Sequence, residues 1–123
     1  MYIEIDFNSE EAFYIQLRNQ IIIGIATNQF REGDTLPSVR QLAEDIGINM
    51  HTVNKAYSVL RQEGFIQLDR RRGAVIALNI DKLRAIEEMQ EKLHVVLARA
   101  ICKGITEEEA HEAVSEIYRR LNG

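Results

Sequence analysis

The segment NMHTVNKAYSVL, Asn49 to Leu60, carries two kinds of side chain. Val53, Ala56, Tyr57 and Leu60 recur at steps of three and four, so on a helix they face inward and leave Met50, His51, Asn54 and Lys55 turned outward. An asparagine amide donates and accepts at once and matches the edge of adenine, while a lysine ammonium suits guanine or a phosphate. Thr52 and His51 can reach phosphates or base edges, and Met50 can touch a thymine methyl. Each of these residues alone is more simply a solvated position on a helix surface. Flanking cations shift the balance. Arg40 stands three residues after Pro37, where the free amides at a helix start already favour an anion, and Arg70, Arg71 and Arg72 precede Gly73 in what reads as a hairpin turn. Three arginines at a turn can serve solubility, but they can also enter a minor groove or grip its phosphates. Together with Arg40 and Lys55 they make duplex nucleic acid the stronger reading.

Those side chains need a frame, and the chain around them supplies one. After an alternating piece, Tyr2 to Phe7, Asn8 or Ser9 can cap a helix whose first turn holds Glu10 and Glu11; Tyr14, Leu17, Ile21 and Ile25 give it an apolar face, and it should end near Gln29. REGDTLP follows as a loop. Ser38 starts a second helix, with Gln41 placed to complete a capping box, and Gly47 stops it in the left-handed conformation. Asn49 caps the next helix only two residues later, and Gly64 ends it. FIQLDRRRGAVIAL reads as a hairpin in which Ile66 and Leu68 alternate with polar neighbours. Helix, tight corner, helix and two-stranded wing form an arrangement usually employed on duplex DNA.

The pattern changes at Asn79, dividing a DNA-binding domain, residues 1–78, from a helical dimerisation tail, residues 79–123. Leu83, Ile86, Met89, Leu93, Val96 and Leu97 share one wide apolar face; after Gly104, Thr106 and Glu109 form a capping box for a last helix whose face includes Ile117 and Leu121. Two such helices cannot cover each other completely, so the surplus is expected to meet a second copy of the chain. The expected fold is mainly α with a small β wing (α+β), a winged helix-turn-helix followed by a two-helix C-terminal dimerisation hairpin.

The composition allows this and excludes little else. A chain of 123 residues with 46% hydrophobic and 28% charged content is an ordinary folded domain with a modest core. No apolar run is long enough to cross a bilayer and the acidic N-terminus does not resemble a signal peptide, so the expected location is the cytoplasm, with no membrane partner. Cys102, lying among apolar residues, reads as a small buried hydrophobe. The net charge of -4 speaks mildly against nucleic acid, but a binding surface is set by local charge.

Catalysis has no comparable support, because no nucleophile with its base, carboxylate pair or phosphate-cradling glycine loop is legible. His51, His94 and His111 show neither metal-ligand spacing nor a nearby cysteine pair, so no metal or cofactor is expected, and Glu107 to Glu109 read as the dipole-favoured first turn of a helix.

LPSVRQLAEDIGINMHTVNKAYSVLRQEGFI, preceded by YIQLRNQIIIGIATNQFREGD and followed by RRGAVIA, resembles the N-terminal domain of the GntR family of bacterial transcription regulators, from about Phe13 to Ala77. NMHTVNKAY and the two-helix tail resemble that family's short YtrA-like branch, which lacks a large effector domain. The resemblance implies a homodimeric repressor on an inverted-repeat operator, often that of an ABC-transporter operon. It also implies that Arg40 is a DNA contact, that Thr52 is the small polar residue of the recognition helix and that Gly73 is the wing glycine. Asn49 and Thr52 keep the branch's asparagine-x-x-threonine pattern, with Lys55 after it. Met50 and Asn54 stand where many relatives carry arginine, so the operator sequence does not carry over. A regulatory signal has two readings, an unidentified small-molecule effector or a partner protein. A competing function is a protein-interaction module that has lost its DNA role, which the exposed cations oppose.

Overall fold

Leu17 and Ile21, one turn apart, are wholly buried, and the helix that carries them, α1 (Phe13–Ala26), is the surface on which the first part of the molecule is built. The computed structural model describes residues 2–123, which divide into two units, one ending at Asn79 and one running from Ile80 to Gly123. In the first unit α1 is followed by α2 (Val39–Ile46), α3 (Met50–Gln62) and an antiparallel ribbon of β1 (Ile66–Asp69) and β2 (Gly73–Ile76). Ile66 lies opposite Ile76 and Asp69 opposite Gly73. The expected stripe of Val53, Ala56, Tyr57 and Leu60 is buried and shares one core with Leu17, Ile21, Ile66 and Ile76. A fully buried aliphatic side chain contributes roughly 1.5–3 kcal/mol, so this cluster is the main stabilising term of the unit.

The start of the chain departs from expectation. α1 begins at Phe13, behind Ala12, with no side-chain cap and no acid in its first turn. Asn8 and Ser9 are occupied in a chain reversal instead: Asp6 Oδ1 accepts from the Asn8 amide, the Asp6 carbonyl from the Ser9 amide, and Ser9 Oγ from the Glu11 amide. Before the reversal, residues 3–6 run extended, with Ile3 and Ile5 buried. Two glutamines of α1 fasten this arm. Gln16 accepts from the Asp6 amide at 2.9 Å and donates to the Asp6 carbonyl at 3.1 Å, and Gln20 makes the same two-way pairing with the main chain of Glu4. The four-residue step from Gln16 to Gln20 advances about 6 Å along the helix and two extended residues about 6.6 Å, so the two spacings match. The far end of α1 comes at Ala26 rather than near Gln29, because Asn28 takes a left-handed φ of 63° and the Gln29 and Phe30 amides fold back onto the Gly24 carbonyl.

The corner between α2 and α3 forms as anticipated at Gly47, φ 74°, whose amide, like that of Ile48, donates to the Ala43 carbonyl. Ser38 caps α2 by accepting from the Gln41 amide, but the Gln41 side chain donates to Asp45 rather than reaching back, so the box is half made. The segment read as a loop contributes a third strand fragment: Thr35 bridges Val75, the Leu36 amide donates to the Ala74 carbonyl and the Ile76 amide to the Asp34 carbonyl. That covers Val75 on the side away from β1. Leu68, expected to face inward with Ile66, is 60% exposed, since its partner across the ribbon is only Ala74 and the core ends at Ile66.

In the second unit Asp81 caps α4 (Lys82–Cys102), Gly104 turns the chain at φ 83°, and the Thr106–Glu109 capping box opens α5 (Glu107–Asn122). The expected packing of these two helices as a hairpin is not seen: they scarcely touch each other, and neither buries a residue. Leu83, Met89 and Val96 are more than half exposed, Ile86, Leu97 and Ile117 lie in the open as well, and Leu93 and Leu121 are half-buried. Cys102, expected to be buried, is exposed for the same reason.

Two contacts of the first unit can be tested. A methyl group at Gly24 would fall 2.2 Å from Cε2 of the buried Phe30 ring. Alanine favours a helix by about 1 kcal/mol, but overpacking a core costs about 1–3 kcal/mol, so Gly24→Ala should lower the urea midpoint; an unchanged or higher midpoint would show that the ring gives way freely. The Tyr57 hydroxyl donates to the Pro37 carbonyl at 2.8 Å, and burial pushes its phenol above the usual value. A phenol whose folded value is raised contributes its stability in full below about pH 10 and loses it as pH rises beyond that. Stability should therefore fall more steeply above pH 10 in the native chain than in Tyr57→Phe, which should cost about 1 kcal/mol at neutral pH; parallel pH curves would refute this.

Candidate nucleic-acid interface

Residues 46–62 contain no Asp or Glu in a chain that has 19 acids. The outer side of α3 lies within this stretch, where Met50, His51, Asn54 and Lys55 are all exposed and Thr52 is half-buried. Several local bonds fix where that side points. Asn49 Oδ1 accepts from the His51 amide at 2.7 Å, which caps α3 two residues after Gly47 has turned the chain. The Tyr57 hydroxyl ties α3 to Pro37, immediately before the start of α2, and Ser38 satisfies a backbone donor there. Arg40, exposed in the first turn of α2, makes no hydrogen bond or ion pair with a described residue. A cation beside free helix-start amides is suited to a phosphate.

Lys55 is placed differently from a lysine free in solvent. Its Nζ lies 4.1 Å from the centre of the Tyr14 ring, on α1. Asn49, read as a contact residue, has its carbonyl oxygen committed to the cap and keeps its amide donors for other partners.

The wing turn is organised by the aspartate that precedes the three arginines. Asp69 Oδ1 accepts from the backbone amides of Arg71 at 2.8 Å and Arg72 at 3.0 Å, and these bonds hold the Asp69 carboxyl below its usual range. Gly73, φ 78°, closes the turn in a left-handed conformation that glycine adopts without strain. The three arginines then part company. The Arg72 guanidinium donates to the Gly33 carbonyl and binds the wing to the loop before α2, whereas the side chains of Arg70 and Arg71 are exposed and make no bond with a described residue. An aspartate that bonds the amides two and three residues on is a known turn habit, so Asp69 was findable in DRRRG. Nothing in the sequence pairs Lys55 with Tyr14 or Arg72 with Gly33.

All of the sequence-derived contact residues therefore fall in the first unit, on one helix face, one helix start and one hairpin turn. Among the described residues no group of His, Cys, Asp or Glu gathers as a metal site, and no helix is long and apolar enough to cross a membrane.

Comparison with known proteins agrees in kind. The family model described as bacterial regulatory proteins, gntR family, matches residues 13–76. The HTH-type transcriptional repressor YtrA of Bacillus subtilis is 35% identical, over 98% of this chain and 95% of its own. Among solved structures, a transcriptional antiterminator from Listeria monocytogenes EGD-e superposes with a TM-score of 0.87 at 28% identity, covering 100% of this chain and 93% of that one. YtrA from Sulfolobus acidocaldarius, a GntR-family transcription factor, gives 0.69 at 38% identity over 83% of this chain and 99% of its own. The chain belongs to the GntR family, and it is a YtrA-like, DNA-binding transcriptional regulator rather than an enzyme.

Proposed function

We propose that the chain is a homodimeric repressor that acts in the cytoplasm on an inverted-repeat operator, with an ABC-transporter operon and its own gene as the regulated DNA. The observation that carries this reading is the acid-free outer side of α3, where an amide, an imidazole and an ammonium stand exposed over a capped, core-anchored helix. In this reading α3 enters the major groove, with Asn54, His51 and Met50 toward base edges and Thr52 and Lys55 toward the backbone. Arg40 and the free Arg70 and Arg71 take flanking phosphates, and Arg72 and Gly73 hold the wing in shape. The repressor sign follows the Bacillus subtilis relative, which bears that name.

Two copies are needed because one recognition helix reads only a half-site. The second unit supplies apolar surface for that purpose: α4 and α5 leave Leu83, Met89, Val96, Leu97 and Ile117 uncovered. A second copy covering this surface would remove the patch and set the distance between the two α3 helices.

Both halves of the proposal can be measured on duplexes tiled across the DNA upstream of the chain's own gene. Asn54→Ala should cost about 1–3 kcal/mol at one base-pair position and relax the preference there, while Arg70→Ala should weaken all sequences alike and flatten the salt dependence by about one unit. A native chain that binds no such duplex at low ionic strength would end the DNA assignment. For the assembly, Leu97→Glu should convert a dimer to a monomer in sedimentation equilibrium; a native chain that sediments as a monomer at micromolar concentration would end the dimer assignment.

A further inference from the structure

Tyr14 has no part in the pattern that marks the outer side of α3, yet its ring is the surface on which the Lys55 ammonium rests, with Nζ 4.1 Å from the ring centre. The ring is a firm seat. It belongs to the first turn of α1 and packs, half-buried, against the core. Lys55 by contrast is exposed, on a four-carbon stem that would otherwise sample many rotamers. In a chain with 19 acids and 15 lysines and arginines, a carboxylate would be the commoner neighbour for such a cation. Lys55 nevertheless forms no ion pair with a described residue, and Tyr14 and Lys55 have no hydrogen-bonding partner for hydroxyl or ammonium among them.

The kind of neighbour matters to an anion arriving from outside. A carboxylate beside Lys55 would repel a phosphate and would have to be displaced. A ring face attracts the cation through its quadrupole, leaves its charge uncancelled and keeps the N–H donors that point away from the ring free. It also removes in advance part of the rotamer freedom that Lys55 would lose on binding. His51, one turn earlier on the same outward side of α3, is exposed as well, so an ammonium held there adjoins the surface that would meet the duplex.

We propose that Tyr14 is a positioning residue for DNA binding, whose ring holds the Lys55 ammonium ready for a phosphate oxygen of the bound duplex. This rests on the reading that the outer side of α3 engages DNA, and it adds a residue of α1 that touches no nucleic acid in this role. The full chain is titrated over a range of salt with the upstream duplex that it binds most tightly, in the native form and as Tyr14→Phe, Tyr14→Leu, Lys55→Met and the Tyr14→Leu, Lys55→Met double variant. A fluorinated series of Tyr14→Phe, with successive ring hydrogens replaced by fluorine, keeps the shape while draining the ring face, so the question stays decidable if Tyr14→Leu melts early. Tyr14→Phe should bind within about 2-fold of native, the fluorinated series should weaken stepwise, and Tyr14→Leu should lose about 3- to 10-fold. Lys55→Met should lower the salt slope by about one unit, and the double variant should bind no worse than Lys55→Met. Fluorinated variants that all bind like Tyr14→Phe, losses that multiply in the double variant, or a Lys55→Met chain with native affinity and slope would each overturn the role of Tyr14 while leaving the DNA reading in place. Failure of the native chain to bind any upstream duplex would remove both.

Discussion

The packing of α3 against α1 is the constraint from which the rest of the first unit follows. Val53, Ala56 and Leu60 are completely buried in the core that Leu17 and Ile21 also fill, so α3 can neither roll nor slide without exposing aliphatic surface. With its inner side committed in this way, its outer side has one orientation. The ribbon is bound to the same core through Ile66 and Ile76, so apolar packing places the wing turn with respect to α3. Polar groups then refine what the core has set: Tyr57 to Pro37, Asn49 at the head of α3, Asp69 in the wing turn, Arg72 to Gly33. Among the described residues no polar or charged side chain is buried and no buried side-chain polar atom lacks a partner.

The second unit obeys a different rule. α4 and α5 have good ends, Asp81, Gly104 and the Thr106–Glu109 box, and exposed i, i+4 pairs such as Arg84 with Glu88. Such features favour helix formation locally, by a few tenths to about 1 kcal/mol apiece, but they do not supply a core. Their apolar residues recur at helical spacing, yet neither helix buries one of them.

Most of the first unit was legible because its signals are local and periodic. The burial of Val53, Ala56, Tyr57 and Leu60, the left-handed Gly47, the Asn49 cap and the Arg70–Arg72 turn can each be read within a window of a few residues. What escaped notice depends on partners far apart in sequence. Thr35 belongs to the sheet only because Val75 passes beside it, and the acids Glu10 and Glu11 precede α1 because Asn8 and Ser9 serve the arm fastened by Gln16 and Gln20. The outer side of α3 was legible as a set of residue types. The division of labour there and in the wing turn was not, since Lys55 on Tyr14 and Arg72 on Gly33 join positions separated by about forty residues.

The arm at the start of the chain is held by amide groups and by Ile3 and Ile5, with no ionised side chain in the pairings of Gln16 and Gln20. Neutral fastenings of this sort, like the aliphatic interior beneath them, carry no charge for added electrolyte to screen. Salt that screens counter-charged surfaces from one another should therefore leave this arm and the core beneath it intact, so that electrolyte can loosen a grip on an anion without loosening the scaffold that presents it.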